Sequence, residues 1–442
     1  MDEITPYPRA DHDADDPTPD ALDSAAGPLD GGTADAYLPE PGPPDSADPL
    51  DPAGLPAPPR PTLRLDRPAE VLAWLPYQVK FWPQESAVLV SLRHAPGGGV
   101  GADGGLDGGT RLEPGLIART DLSVIGGVAR GREAQVDMGR HLHRDGASRA
   151  LCAIYTEQSF ASVLRGQGPA GRTLDWWRST PWAELGKTYL IGPERFRCVD
   201  CADAPCCPHT GQPLDVLGTT EAAAWHVFHG HRYAPDREEL VSESSAPTDR
   251  RRAVDEAARQ HYDRRPALPG TDLSIWHREM ERRWVALVEA CRGGPPTGVG
   301  SADRPSAVST DELGAVLAGL ADPWVRDAAL LWSGTGQPLG DAVRDNVVDA
   351  VFSGRLLPEL RLLDGADRTL AILDAHATAR WKPPVLAARA WLAWWSGEGA
   401  KANILLERTL AIDPEYSLAQ LLGTALAHGI PPGWARRPGR AS

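Results

Sequence analysis

Apolar positions in the first half of the chain fall into short alternating or continuous runs, whereas in the second half they recur every three to four residues. The first pattern marks strands and the second amphipathic helices. The stretch LRLDRPAEVLAWLPYQVKFWPQESAVLVSLR opens helix-like over residues 68–75, turns at Pro83 and gives a strand over 87–92. GLIARTDL is a second strand over 115–122, and a helix-compatible segment over 128–144 leads into the buried strand ALCAIYT at 150–156. A further helix containing Asp175, Trp176 and Trp177 precedes strand KTYLI at 187–191. The order strand, helix, strand makes the second and third strands parallel and brings their ends to one sheet edge, where open α/β sheets place ligands.

In the second half, Leu273, Trp276, Met280, Trp284, Leu287, Val288 and Cys291 form a helical stripe that reads as core packing. A Gly/Pro/Ser linker over 292–309 ends at Ser309 and Glu312, the spacing of a capping box. WLAWWSGEGAKANILLERTLAIDPEYSLAQLL resembles a tetratricopeptide hairpin. Trp391 lies on its first helix, Gly397 at the turn, Ala402 and Leu406 on its second, and Pro414 ends it. The expected architecture is an α/β N-terminal domain over 61–240, a mixed sheet with crossover helices. An all-α C-terminal domain over 245–435 follows and ends in the tetratricopeptide-like helical hairpin.

Charge adds a third region. Residues 1–60 hold fourteen Asp/Glu against two Arg, with fourteen prolines and few aromatic or β-branched residues, and read as a disordered acidic tail. The chain's net charge of −15 is therefore mostly the tail's, and the remaining 382 residues carry −3. No basic stripe with interleaved aromatics supports nucleic-acid binding. MDEITPYPRA lacks the basic and apolar regions of a secretory signal, and no eighteen consecutive apolar residues occur, so a cytoplasmic protein without a membrane partner is expected.

Three features could carry chemistry. The first is RCVDCADAPCCPHTG, in which Cys198, Cys201, Cys206, Cys207 and His209 could supply a zinc site, with Cys198 and Cys201 as a C-x-x-C half and His226, His229 and His231 as an alternative second half. The same thiols could instead simply pack. Redox work would need a depressed thiol pKa, and Arg195 and Arg197 are opposed there by Asp200 and Asp203. The second feature is the parallel edge. Arg119 and Asp121 share a strand face near Tyr155, Thr156 and Glu157, a polar cluster that could bind a small ligand or be a salt bridge with strand-end capping. The third is the G-x-G-x-x-G at Gly99, Gly101 and Gly104. It lies in a Gly-rich loop over 95–114 with no helix opening at its third glycine, and it reads as a hairpin loop. His141 and His143, near the end of the crossover helix, are expected in solvent.

Taken together, PYQVKFWPQESAVLVSLR, GLIARTDL, ALCAIYT, CADAPCCPHTGQPL, DREEL and GEGAKANILLERTLAIDPEYSLAQLL resemble the actinobacterial family catalogued as domain of unknown function 4192. The resemblance runs from Leu63 to Trp434 and implies architecture and a bacterial cytosolic origin, with no activity attached. Cys201, Cys206, Cys207 and Pro208 match the family's pattern. Cys198 stands where a non-cysteine residue is more usual, and the Gly-rich loop and acidic tail are additions. The functional expectation is a non-catalytic protein-interaction or scaffold protein working through its C-terminal helices. The alternative is an enzyme or sensor using the sheet-edge cluster or a cysteine-bound zinc.

Overall fold

The computed structural model describes residues 35–36, 63–64, 67–94, 112–129, 131–199, 201, 207–241, 244–292, 308–339, 355 and 358–435. Of the region read as an acidic tail, only Asp35–Ala36 is among them. The Gly-rich loop lies outside them except for residues 112–114, which belong to a strand. In the linker, Arg292 still belongs to a helix, and residues 293–307 lie outside.

A mixed sheet with covering helices forms the N-terminal region. Its strands are β1 (Asp35–Ala36), β2 (Leu63–Arg64), β3 (Ser86–His94), β4 (Leu112–Asp121), β5 (Arg149–Tyr155), β6 (Lys187–Ile191), β7 (Arg195–Cys198) and β8 (Gln212–Pro213), in spatial order β2-β1-β4-β3-β5-β6-β7-β8. The helices are α1 (Pro68–Val79), α2 (Leu122–Ile125), α3 (Gly131–Arg144), α4 (Phe160–Leu164), α5 (Gly168–Arg178), α6 (Pro181–Leu185) and α7 (Glu221–Phe228). As expected, β4 and β5 run parallel to one another. They are not neighbours, because β3 lies between them and pairs antiparallel with both: Ser86 stands opposite Asp121 on one side and Tyr155 on the other.

Alternation along β3 explains why it occupies the middle. Val88, Val90 and Leu92 enter one apolar layer with Leu151, Ala153 and Tyr155 under α1 and α7. Ala87 and Leu89 enter a second layer with Cys152, Ile154 and Leu190 under α2, α3 and α5. Residues 86–92 are all buried, so both faces and both edges of this strand are covered. Helix α1 runs four residues further than its sequence suggests. Pro76 removes one backbone donor, but Pro76 and Tyr77 are themselves buried on the sheet, and that packing outweighs the lost bond.

The C-terminal region is helical: α8 (Thr248–Asp263), α9 (Thr271–Arg292), α10 (Thr310–Leu320), α11 (Pro323–Thr335), α12 (Leu360–His376), α13 (Lys382–Trp395), α14 (Gly399–Ile412) and α15 (Ser417–Ala427). The capping box forms as expected, with Glu312 N–H donating to Ser309 Oγ (3.1 Å) and Ser309 N–H donating to Glu312 Oε2 (3.2 Å). Helices α13 and α14 make a hairpin through Gly397, whose φ of +80° suits a residue without Cβ. The hairpin is tied to α12 by buried charges. Lys401 Nζ lies 2.8 Å from Asp367, Arg389 reaches Asp367 (3.2 Å) and Asp374 (3.4 Å), and Lys382 pairs with Asp374 (2.8 Å). Among the described residues no helix is long and apolar enough to cross a membrane.

Burial opposes the charge on Asp367, yet Lys401 and Arg389 outweigh it and hold the carboxyl below its ordinary value. A depressed carboxylate contributes stability at neutral pH that is lost as pH falls below about 3.9 toward the folded value. Lys401→Met, which leaves Asp367 short of a partner, is expected to cost about 3 kcal/mol in urea unfolding at pH 7. The deficit should shrink when unfolding is repeated at acid pH, where Asp367 is protonated. An equal deficit at both pH values would mean that Lys401 acts by packing alone.

Candidate functional site

Strands β4, β5 and β6 share one direction, so their carboxyl ends meet at one end of the sheet, beside the start of β3. The sequence-derived candidates are all at this end, but they do not form one cluster. Arg119 and Asp121 are ion-paired at 2.6 Å, and the Arg119 guanidinium lies over the Phe81 ring. Tyr155 is two strands away across β3, about 10 Å at the usual strand spacing. Thr156 N–H donates to the Ile191 carbonyl and Thr156 Oγ1 accepts from Gln158 N–H, while Glu157 N–H donates to Glu85 Oε1 (2.6 Å). Thr156 and Glu157 thus terminate β5, and Asp121 stands on the far side of β3 from them.

What the sheet end gathers instead is a set of rings from α1 and from the segment after α7. The Glu70 carboxylate of α1 accepts from Glu221 N–H and Ala222 N–H, docking the first turn of α7 on α1. The chain then returns as a strap over residues 229–234. Trp82 N–H donates to the Ala234 carbonyl and Ala234 N–H to the Lys80 carbonyl, both at 2.8 Å. Tyr77 stacks on His226 with centroids 4.2 Å apart and meets Tyr233 edge-on, and Trp82 spans from Tyr233 to Tyr155. His226 Nδ1 lies 2.8 Å from His231 Nδ1, a hydrogen bond in which one ring donates and the other accepts.

Three further observations fall on this place. The two non-glycine residues with positive φ among those described, Lys80 (+70°) and Glu85 (+37°), bracket the link from α1 to β3. Such backbone persists where the surroundings over-determine it. Ser86 Oγ, Tyr155 Oη, Arg119 Nε, Trp225 Nε1 and His226 Nε2 are buried atoms without a hydrogen-bond partner. Burial, then His231, Lys80 and His229, push His226 down to about 4, and burial with Lys80 and His229 lowers His231. Burial, with Tyr233 adding, also raises Tyr155 and keeps its phenol neutral.

His226 is 4 % exposed, His229 is half-buried and His231 exposed, so three histidines close in sequence differ in burial. The expectation that His141 sits in solvent is corrected. It is half-buried, and its ring lies so close to Gly429 of the helical region that a Cβ there would meet Nδ1 at 2.4 Å. Only His143 is exposed as expected. Sequence spacing could not reveal the histidine pocket, because its stacking partner Tyr77 lies some 150 residues earlier in the chain.

In the cysteine segment, Cys198 ends β7, and Cys198 and Cys207 are buried in the apolar layer under α1 and α7, with Cys201 packed against it. Cys206, Asp200 and Asp203 lie outside the described residues. His209 is exposed, and its carbonyl accepts from Arg197 Nη1 (3.1 Å). Among the described residues no three His, Cys, Asp or Glu side chains are placed to hold a metal ion. Burial alone keeps Cys152, on the other face of the sheet, a neutral thiol.

A mixed sheet with helices on both faces, continued by a helical region, defines an α/β protein with an all-helical extension. The chain belongs to the family described as Domain of unknown function (DUF4192), matched over residues 68–433. No curated protein and no solved structure matches it.

Because His226 is held below the ordinary histidine value of about 6.5, the unfolded chain binds protons that the folded chain refuses. Stability should be full above pH 6.5 and fall as pH drops toward 4. His226→Phe, which keeps a ring against Tyr77, should flatten that part of a thermal-midpoint profile, and an unchanged slope would assign the acid sensitivity elsewhere. For the cysteines, packing predicts that a chelator leaves the midpoint of untagged protein unchanged; stoichiometric zinc whose removal unfolds the chain would contradict it.

Proposed function

We propose that the chain is a non-catalytic protein-interaction or scaffold protein of the bacterial cytoplasm, with the partner taken up by the helical region. The observation that carries this reading is an open depression of about 660 Å³ between α9 and α11. Ile275, Val285 and Trp332 give it an apolar floor, and Arg278, Glu279 and Arg282 stand at its rim. Ile275 is 54 % exposed, an unusual position for a large aliphatic side chain beside other apolar groups.

The rim also indicates a chemistry for the partner. Arg278, Glu279, Glu281 and Arg282 balance in charge, but Glu279 is shared by Arg282 and Arg283, while Arg278 has no ion pair among the described residues and is the charge left to meet a partner. An acidic protein segment anchored by one large apolar side chain suits such a surface. The depression lies on α9 and α11 rather than on the terminal hairpin, so the tetratricopeptide resemblance is not what supports the reading.

A photo-cross-linking residue in place of Ile275 in the full-length chain should give adducts with one acidic protein, and these should weaken about tenfold or more when Arg278→Glu is added. The same probe at Glu289, on the same stripe of α9 but about 21 Å further along and outside the lining of the depression, should give none. Adducts equally strong at both positions, or none at Ile275, would overturn the reading.

A further inference from the structure

At the sheet end, the groups around the strap share a sign. Lys80 ends α1, and its ammonium is near enough to act on both His226 and His231; His229 acts on them as well. No carboxylate figures among the charges that act on either imidazole. Lys80 itself makes no ion pair or side-chain hydrogen bond among the described residues, although it is held in left-handed backbone, a conformation a lysine rarely adopts.

Donors are in excess here too. His226 Nε2 and Trp225 Nε1 are buried atoms with nothing to bond, on residues whose rings are otherwise fixed. His226 is clamped between Tyr77 and His231, and Trp225 lies against His226 and His229. In the tautomer in which His226 Nδ1 accepts from His231, Nε2–H is a buried donor as Trp225 Nε1–H is; each costs about 1–3 kcal/mol when unpaired, so beside the Lys80 ammonium the fold lacks an acceptor bearing negative charge. The strap itself is open at Gly230, where an added Cβ meets nothing within 4 Å.

We propose that Lys80, Trp225, His226 and His231 form a binding site for a phosphoryl group, carried by free phosphate or by a small phosphate monoester. Lys80 supplies the charge, and the indole and imidazole N–H groups supply directed hydrogen bonds, the combination by which protein sites hold oxyanions. Tyr77 and Tyr233 border the site and can lie against the organic part of a monoester. Bound dianion favours the charged form of both imidazoles, so occupancy must raise their titration.

The test is calorimetric titration of the full chain at pH 7 with inorganic phosphate and with phenyl phosphate, together with imidazole NMR. Saturable binding of either probe is expected, with the His226 and His231 titrations moving upward in its presence. Tighter binding of phenyl phosphate would mark a monoester as the ligand, and equal binding would mark free phosphate. Lys80→Asn, a residue that tolerates left-handed backbone, should weaken binding about tenfold or more. His231→Gln serves as the second variant should that protein not fold. No saturable binding below about 10 mM, or binding that both variants leave intact, overturns the proposal. Zinc displacing the imidazole protons where phosphate does not would overturn it as well.

Discussion

Strand β3 is hydrogen-bonded on both edges to strands that run against it, and most of what is distinctive in the N-terminal region follows from that placement. Because Ser86 opens β3 between Asp121 and Tyr155, the chain must arrive from α1 at the end of the sheet where β4, β5 and β6 terminate. The arrival is tight. It is made through Lys80 and Glu85 in positive φ, and Glu85 then serves both flanks, its carbonyl accepting from Leu122 N–H and its carboxylate from Glu157 N–H. The strained link is therefore also the connection that holds the ends of β4 and β5 in place.

The helical region is built on a different balance. Its core is large and rich in tryptophan, with Trp284, Trp381 and Trp395 almost completely buried. Charges are admitted only where their partners are fixed. Asp255 accepts from Thr378 Oγ1 (2.7 Å) and Trp381 Nε1 (2.9 Å), and Asp322 caps α11 while pairing with Arg265 (2.6 Å). Two of the chain's four lysines, Lys382 and Lys401, belong to the network between α12 and the α13–α14 hairpin. The network mixes both cations: the Arg389 guanidinium reaches Asp367 and Asp374, and each lysine reaches one of the two. Among the described residues the two regions touch through Arg237 with Glu407, Arg144 with the His428 carbonyl, and the half-buried His141 ring against Gly429.

Much of the fold was legible because period-two and period-3.6 patterns report burial directly. Strand 187–191 and the stripe along α9 appear where the periodicity puts them, and Ser309 with Glu312 caps α10 as its spacing requires. The parallel relation of β4 and β5 was legible as well. The strand between them was not, because a crossover read from spacing cannot tell which earlier strand it passes. That one feature separated Asp121 from Tyr155 and dissolved the expected cluster. The histidines of WHVFHGHRY were hidden for a related reason: their burial comes from α1, remote in sequence, and the segment has no apolar period of its own. In the cysteine segment the opposite happened. Metal-like spacing was plain, yet the placement of Cys198 and Cys207 follows from the apolar layer they fill.

If β3 is the member on which the sheet end depends, its backbone must be the last part of the N-terminal region to open. Native-state hydrogen exchange on the full chain measures this residue by residue. The amides of Val88 and Val90 should exchange only through global unfolding, and those of Trp82 and Ala234, which hold the strap, should open earlier and independently. Exchange of Val88 and Val90 as fast as that of the strap would contradict the account.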